Sequence, residues 1–256
     1  MKKYRQPGER GRCLVFLWGL MIALTVRIGC AAAERQLTVM VYMCGSNLES
    51  TYGSATADLA EMSSAGIDGE KTCVLVMTGG STRWLQGYDP EESVITEVGA
   101  RGSRVIQRTE KKNMGQGEAL TDFLRFCTEA RPAERYALIL WDHGAGPVDG
   151  VCWDEQNGGD HLTLRELTDA LAESPFRERK LDWIGFDACL MSSVEVAGRL
   201  APYAEYMIAS QAEEPATGWN YAFLKGAEAD RDGAETGREG GLWTATSLFR
   251  RRTGRR

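Results

Sequence analysis

A chain of 256 residues that is 43% hydrophobic and 26% charged can bury one sizeable core and is too apolar to stay unfolded. Its formal net charge is −6, an acidic balance that repels nucleic acid and attracts cationic ligands, or simply keeps an exported protein soluble. Seven cysteines occur without a C-x-x-C pair or a His/Cys cluster, which excludes zinc-finger and dithiol redox chemistry.

Lys2, Lys3, Arg5, Arg10 and Arg12 precede the apolar run "CLVFLWGLMIALTV", and "CAAAE" follows soon after Arg27. A basic start, a short apolar core and small residues at its exit predict a secretory signal peptide over residues 1–33, cut after Ala33. The run is short for a bilayer span and Arg27 ends it, so no stable span is expected once the signal is removed. A lipid anchor on Cys30 is disfavoured, because Arg27 stands where such signals carry an apolar residue. The expected location is therefore outside the cell or in its envelope. Removing 1–33 takes six of the 30 basic and one of the 36 acidic residues, leaving a net charge of −11. The last nineteen residues hold six Arg and one Glu, so the body at 34–237 carries 18 basic against 34 acidic residues. Five cysteines remain, Cys44, Cys73, Cys127, Cys152 and Cys189. An odd number in an exported chain argues against a disulfide framework.

Five continuously apolar runs follow: 37–43, 72–78, 136–141, 181–186 and 205–210. They read as strands buried on both faces. Helical spacing lies between them at Ala55–Ser64, Gly117–Ala130, Leu164–Glu173 and Val194–Leu200. "SVITEV" and "SRVIQRT", joined by "GARG", predict a hairpin on the sheet edge. The alternation implies a mainly parallel sheet with helices on both sides, one α/β domain over 34–237. The Gly/Arg-rich ending at 238–256 has no amphipathic period and reads as a truncated or frame-shifted terminus. The strand runs end in "CGSN", "TGGSTRW", "DHGAG", "DAC" and "SQAEE", and in a parallel sheet these ends gather along the edge where ligands bind.

The chain has two histidines. His161 sits in the polar loop "NGGDHLT" and reads as structural. His143 leaves a buried strand at the functional edge, and Cys189 leaves the neighbouring one. Ser192 and Glu195 stand at capping-box spacing, which predicts a helix start at Ser192 and a thiol near a helix N-terminus. An imidazole beside the thiol can take its proton and later deliver it to a leaving amine. The Gly144 amide is a candidate oxyanion donor. A buried structural thiol is the competing reading for Cys189 on its own.

"LILWDHGAG" and "FDACLMSSVEVA" resemble the two signature blocks of the clostripain family of cysteine peptidases, relatives of caspases. "LTVMVYMCGSNLES", "TGGSTRW" and "MIASQAEEPATGWNY" resemble it in order and spacing, so the likeness covers roughly 36 to 230. The resemblance implies a caspase-like three-layer α/β/α sandwich, His143 as general base and Cys189 as nucleophile. It implies peptide or protein substrates with Arg or Lys at the cleavage site, no nucleic-acid partner and no required cofactor. It also implies a self-cut after a basic residue between His143 and Cys189. Asp187 matches an acid thought to receive the basic side chain; two residues before the nucleophile, it points to the same side of an extended chain. Glu213 and Glu214 could add negative potential there. The family's namesake is calcium-dependent, and Asp149, Asp154, Glu155 and Asp160 crowd the loop after His143. Their spacing is not that of an EF-hand, and an acidic exposed loop is the alternative. The other readings are a catalytically silent binding module of the same fold, favoured by the anomalous tail, and a flavodoxin-like cofactor domain, which lacks a phosphate-cradling glycine motif.

Overall fold

The computed structural model describes residues 35–99, 102–215 and 217–227. The expected signal peptide at 1–33 and tail at 238–256 lie outside the described residues, as do positions 100 and 101 of the hairpin turn. In chain order, β1 (Arg35–Cys44) leads into α1 (Ser46–Tyr52) and α2 (Ser54–Ser64). Next come β2 (Thr72–Gly79), β3 (Glu92–Gly99) and β4 (Gly102–Glu110), then α3 (Gly117–Ala130) and β5 (Ala133–Trp141). After β5 stand α4 (Gly146–Asp149), β6 (Val151–Asp154), β7 (Asp160–Leu162) and α5 (Leu164–Glu173). β8 (Leu181–Asp187), α6 (Val194–Leu200) and β9 (Ala204–Ile208) complete the order.

Seven strands form one sheet in the order β4-β3-β2-β1-β5-β8-β9. β1 pairs in parallel with β2 and β5, β5 with β8, and β8 with β9. β1, β2, β5 and β8 contain four of the five apolar runs, and β9 overlaps the fifth, ending at Ile208; in the central strands both faces are covered. In β1, Met40, Tyr42 and Cys44 enter one core with α3, α5 and α6, while Val39, Val41 and Met43 enter the other with Leu59 and Met62 of α2. Complete burial of such a side chain stabilises by about 1.5–3 kcal/mol. The result is the expected three-layer α/β/α sandwich.

The helices form where the apolar spacing placed them. α3 buries Ala119, Leu120, Phe123, Leu124 and Cys127, one face at 3.6-residue period. α5 begins at a capping box in which the Thr163 and Glu166 side chains each satisfy the other's backbone N–H. α6 corrects the expected start: its cap is Ser193, whose hydroxyl accepts from Val196 N, and the helix opens at Val194. Ser192 lies one residue outside this cap, and its N–H donates to Ser210 O, which ties it to the chain beyond β9.

The β3–β4 hairpin lies on the sheet edge as expected, antiparallel to β2. Its outer strand carries Arg104 and Arg108, paired with Glu97 and Glu92, and a charged edge resists further strand addition. Among the described residues, no helix is long and apolar enough to cross a membrane.

Candidate active site

Strand register brings the two candidate residues level. Trp141 of β5 stands opposite Asp187 of β8, so His143 and Cys189 each lie two residues beyond the last pair. Both line one cavity of about 210 Å³, with Leu48, Asp58, Asp187 and Glu214 in its wall. β1 is flanked by β2 on one side and β5 on the other, the reversal of strand order at which open α/β sheets leave a crevice.

His143 is exposed, and its Nε2 lies 2.7 Å from Asn47 Oδ1. A ring protonated at Nε2 donates to that carbonyl oxygen and leaves Nδ1 as the basic nitrogen. Desolvation holds the pKa of His143 below its ordinary value, so the ring is neutral and able to accept a proton at pH 7. Asn47 is held by its neighbour. The Ser46 hydroxyl, on a residue with φ +44°, donates to Asp142 Oδ1. Asp142 also accepts from Trp153 N; its burial pushes the carboxyl up to about 8 against the lowering effect of these bonds. Its side chain is thus spent on Ser46 and Trp153 and not on the His143 ring.

Gly144 sits in an isolated antiparallel bridge with Val151. The bonds on either side are Cys152 N to His143 O and Ala145 N to Gly150 O, so Gly144 is in a non-hydrogen-bonded pair and its own N–H points out of the bridge. A Cβ added at Gly144 would lie 2.2 Å from Cys189 O. Only glycine fits there.

Cys189 is partly exposed, and its Sγ accepts from Glu214 N at 3.2 Å. Leu190, immediately after it, has φ +64°, and its N–H donates to Ala212 O. Left-handed residues stand at Ser46, where α1 begins, and at Leu190, directly after Cys189, the kind of backbone strain that collects at functional sites. The donor that reaches the sulfur comes from the segment after β9, and α6 starts five residues downstream of the thiol.

Asp187 is buried and accepts from Trp219 N at 3.2 and 3.3 Å and from Tyr221 Oη at 2.8 Å. Gly218 makes this possible: its φ is +61°, and a Cβ there would lie 3.0 Å from Asp187 Oδ1. Desolvation raises Asp187 to about 6 despite those donors. Glu214 is raised to about 8, by desolvation first and then by the charge of Asp187. Glu213 is exposed and lies outside the cavity wall. Of the two neighbouring acids, the fold turns Glu214 inward and leaves Glu213 in solvent.

The clostripain family model matches residues 41–240, more than three quarters of the chain. The chain belongs to the clostripain family. One curated relative is clostripain from Hathewaya histolytica, 28% identical over 199 residues, which are 66% of this chain and 36% of the relative. A secreted C11 cysteine protease from Bacteroides thetaiotaomicron, solved in complex with an irreversible peptide inhibitor, shares the fold. Its TM-score is 0.66 at 24% identity, over 80% of this chain and 58% of its own. An inactive zymogen C11 protease from Parabacteroides distasonis gives 0.60 at 25% identity, over 80% and 59%. The chain spans about a third of the curated relative and under three fifths of the solved ones.

The acidic loop after His143 is built differently in this clostripain-family chain from a cation cage. Asp154 is buried and accepts from Met114 N, Gln156 N, Asn157 N and Asn157 Nδ2. Glu155 accepts from Ser50 Oγ and from Thr82 N and Oγ1, and Asp160 accepts from Asn113 Nδ2. Asp149 is exposed. Among the described residues, no three acids, histidines or cysteines converge as a metal site would require. His161 stacks on Trp153 with ring centroids 4.8 Å apart, a packing role.

Proposed function

We propose that the chain is an exported cysteine endopeptidase that cleaves after Arg or Lys. The observation that carries this reading is one cavity holding His143 and Cys189 beside the buried acids Asp187 and Glu214. His143 takes the thiol proton as Sγ attacks the carbonyl carbon, and the Gly144 N–H faces the oxyanion that forms. The C–N bond then breaks, the proton passes from His143 to the leaving amine, and a thioester remains on Cys189. Water, deprotonated by His143, hydrolyses that thioester and restores the thiol. The cationic side chain before the scissile bond pairs with Asp187 and Glu214. Asn47 positions the His143 ring. Residues 1–33 supply export in this reading, in keeping with a family relative described as secreted. Fluorogenic peptides ending in Arg, Lys and Ala test it: the first two should be hydrolysed and the third hardly at all. Equal turnover of all three would remove the specificity, and no turnover of any would remove the enzyme.

Self-processing is constrained by where basic residues stand. Gly144 to Leu164 contains no Lys or Arg, and Arg165 lies within α5. Arg179 is held over the Tyr136 ring and donates to Ala133 O, and Lys180 donates to Ala201 O. Arg177 ends a short 3-10 turn with its side chain 72% exposed and, among the described residues, paired with the adjacent Glu178. A self-cut, where one occurs, is expected after Arg177, with both pieces retained through β5 and β8. Intact-mass analysis of wild-type and Cys189→Ala protein reads this directly. A cut between His143 and Leu164, or one that persists in Cys189→Ala, would contradict it.

A further inference from the structure

We infer that Asp58 of α2 is a third acid of the specificity pocket, and that a cationic side chain is admitted there in exchange for protons. The inference rests on the reading of this cavity as the pocket beside the nucleophile, and adds a specificity-determining residue to it. Asp58 is 7% exposed and lines the cavity together with Asp187, Glu214, His143 and Cys189. Its Oδ2 accepts from Trp141 Nε1 at 2.7 Å, which fixes the carboxyl at the end of β5, one residue short of the segment that carries His143.

The cavity holds more acceptor capacity than donors. A carboxylate can accept about four hydrogen bonds, and Asp58 has the Trp141 indole. Among the described residues, Glu214 Oε2 is buried without a donor within hydrogen-bond geometry, while its Oε1 receives Trp219 Nε1 at 3.4 Å and the carboxyl as a whole feels Asp187 and the Ala188 backbone. Among the described residues, no Lys or Arg lines the cavity. A buried acid group left short of donors is unfavourable as an anion. A guanidinium brings five donors in a planar fork and an ammonium brings three, so either would supply what Asp58 and Glu214 lack.

The groups facing Asp58 fix how it responds to pH. Asp187 and Glu61 both oppose its ionisation. Tyr221 donates its hydroxyl to Asp187 and its N–H to Glu61. Desolvation, then the charge of Asp187, raises Asp58 to about 8, and Glu214 stands at about 8 and Asp187 at about 6. At pH 7 the empty cavity therefore keeps protons on Asp58 and Glu214. A bound cation favours their ionised forms, and the protons leave to solvent. Affinity for Arg or Lys should accordingly rise from pH 6 to pH 8 and level off above it. His143, held below its ordinary pKa, is already neutral over the upper part of that range and does not produce the rise.

Asp58→Asn keeps an acceptor for Trp141 and removes the charge. With the full chain, kcat/KM for peptides ending in Arg, Lys and Ala is measured from pH 6 to pH 8. Calorimetry of benzamidine binding in two buffers of different ionisation heat counts the protons released. The expected result is a loss of the Arg-over-Ala ratio of about 30-fold or more in Asp58→Asn, carried by KM, with a flatter rise between pH 6 and pH 8. Benzamidine binding to wild type at pH 7 should release protons, and to Asp58→Asn fewer. A wild-type preference for Arg that survives Asp58→Asn at every pH would overturn the inference alone. A wild type with no cationic preference would overturn the pocket reading and the inference together. Should Asp58→Asn fail to fold, benzamidine binding to wild type without proton release would still overturn it.

Discussion

Replacing Cys189 with alanine is expected to lower hydrolysis of Arg-ended peptides by about four orders of magnitude or more, because among the described residues no other thiol lines the cavity. His143→Ala should cost about 10²- to 10⁴-fold, the usual contribution of a positioned base. Neither change should unfold the protein. His143 is exposed and Cys189 partly so, and truncations at such positions change stability by about 1 kcal/mol or less. Thermal melts alongside the kinetics separate the two effects. Cys189→Ala protein that kept the wild-type rate would refute the assignment, because Cys44, Cys73, Cys127 and Cys152 are all buried and could not replace it.

The second large effect is expected at Asp187. Alanine there would remove the acceptor for Trp219 N and Tyr221 Oη together with the charge, so asparagine is the informative change. Asp187→Asn should lower kcat/KM for Arg-ended peptides by about 10²- to 10³-fold, the scale of losing a buried charge partner, and should lower alkylation of Cys189 far less. If the preference for Arg over Ala survives, the dominant acid is Glu214. Stability should move the other way. The folded pKa of about 6 lies above the ordinary carboxylate value of ~3.9, so the native state binds a proton that the unfolded chain does not. That stability is present below about pH 4 and is lost as pH rises through about 6. Asp187→Asn removes this loss and should therefore melt higher than wild type at pH 7. A lower melting temperature at that pH would mean that the hydrogen bonds to Trp219 and Tyr221 outweigh the buried charge.

The sheet was legible because its central strands are apolar on both faces, and two buried parallel strands carry their C-terminal residues to one edge. That alone put His143 and Cys189 together. Gly144 was legible as a residue without a side chain, but not the 2.2 Å approach of its Cβ position to Cys189 O, which depends on how two loops pack. What the residues did not reveal are contacts made over long stretches of chain. Asn47 and His143 are separated by 96 positions, and Asp58 and Trp141 by 83. Asn47 lies on α1, a seven-residue helix too short and polar to leave a periodic signal, and Asp58 looks like a surface acid on α2 until β5 covers it. Choices between neighbours were also beyond local reading. Ser193 rather than Ser192 caps α6, Ser192 being bound to Ser210, and Glu214 rather than Glu213 lines the cavity, with its backbone N–H on Cys189 Sγ. The resemblance to clostripains singled out His143 and Cys189 as candidates from two short blocks, and register explains why those blocks meet.

The central claim is that Cys189 is a nucleophile served by a pocket for a cationic side chain. Incubation of the full chain with a peptidyl-arginine acyloxymethyl ketone, followed by mapping of the adduct by mass spectrometry, tests both halves at once. The account predicts one adduct on Cys189, formed much faster than with the alanine analogue, slowed by benzamidine, and absent from Cys189→Ala protein. An adduct on another residue, or equal rates for the arginine and alanine reagents, would contradict it.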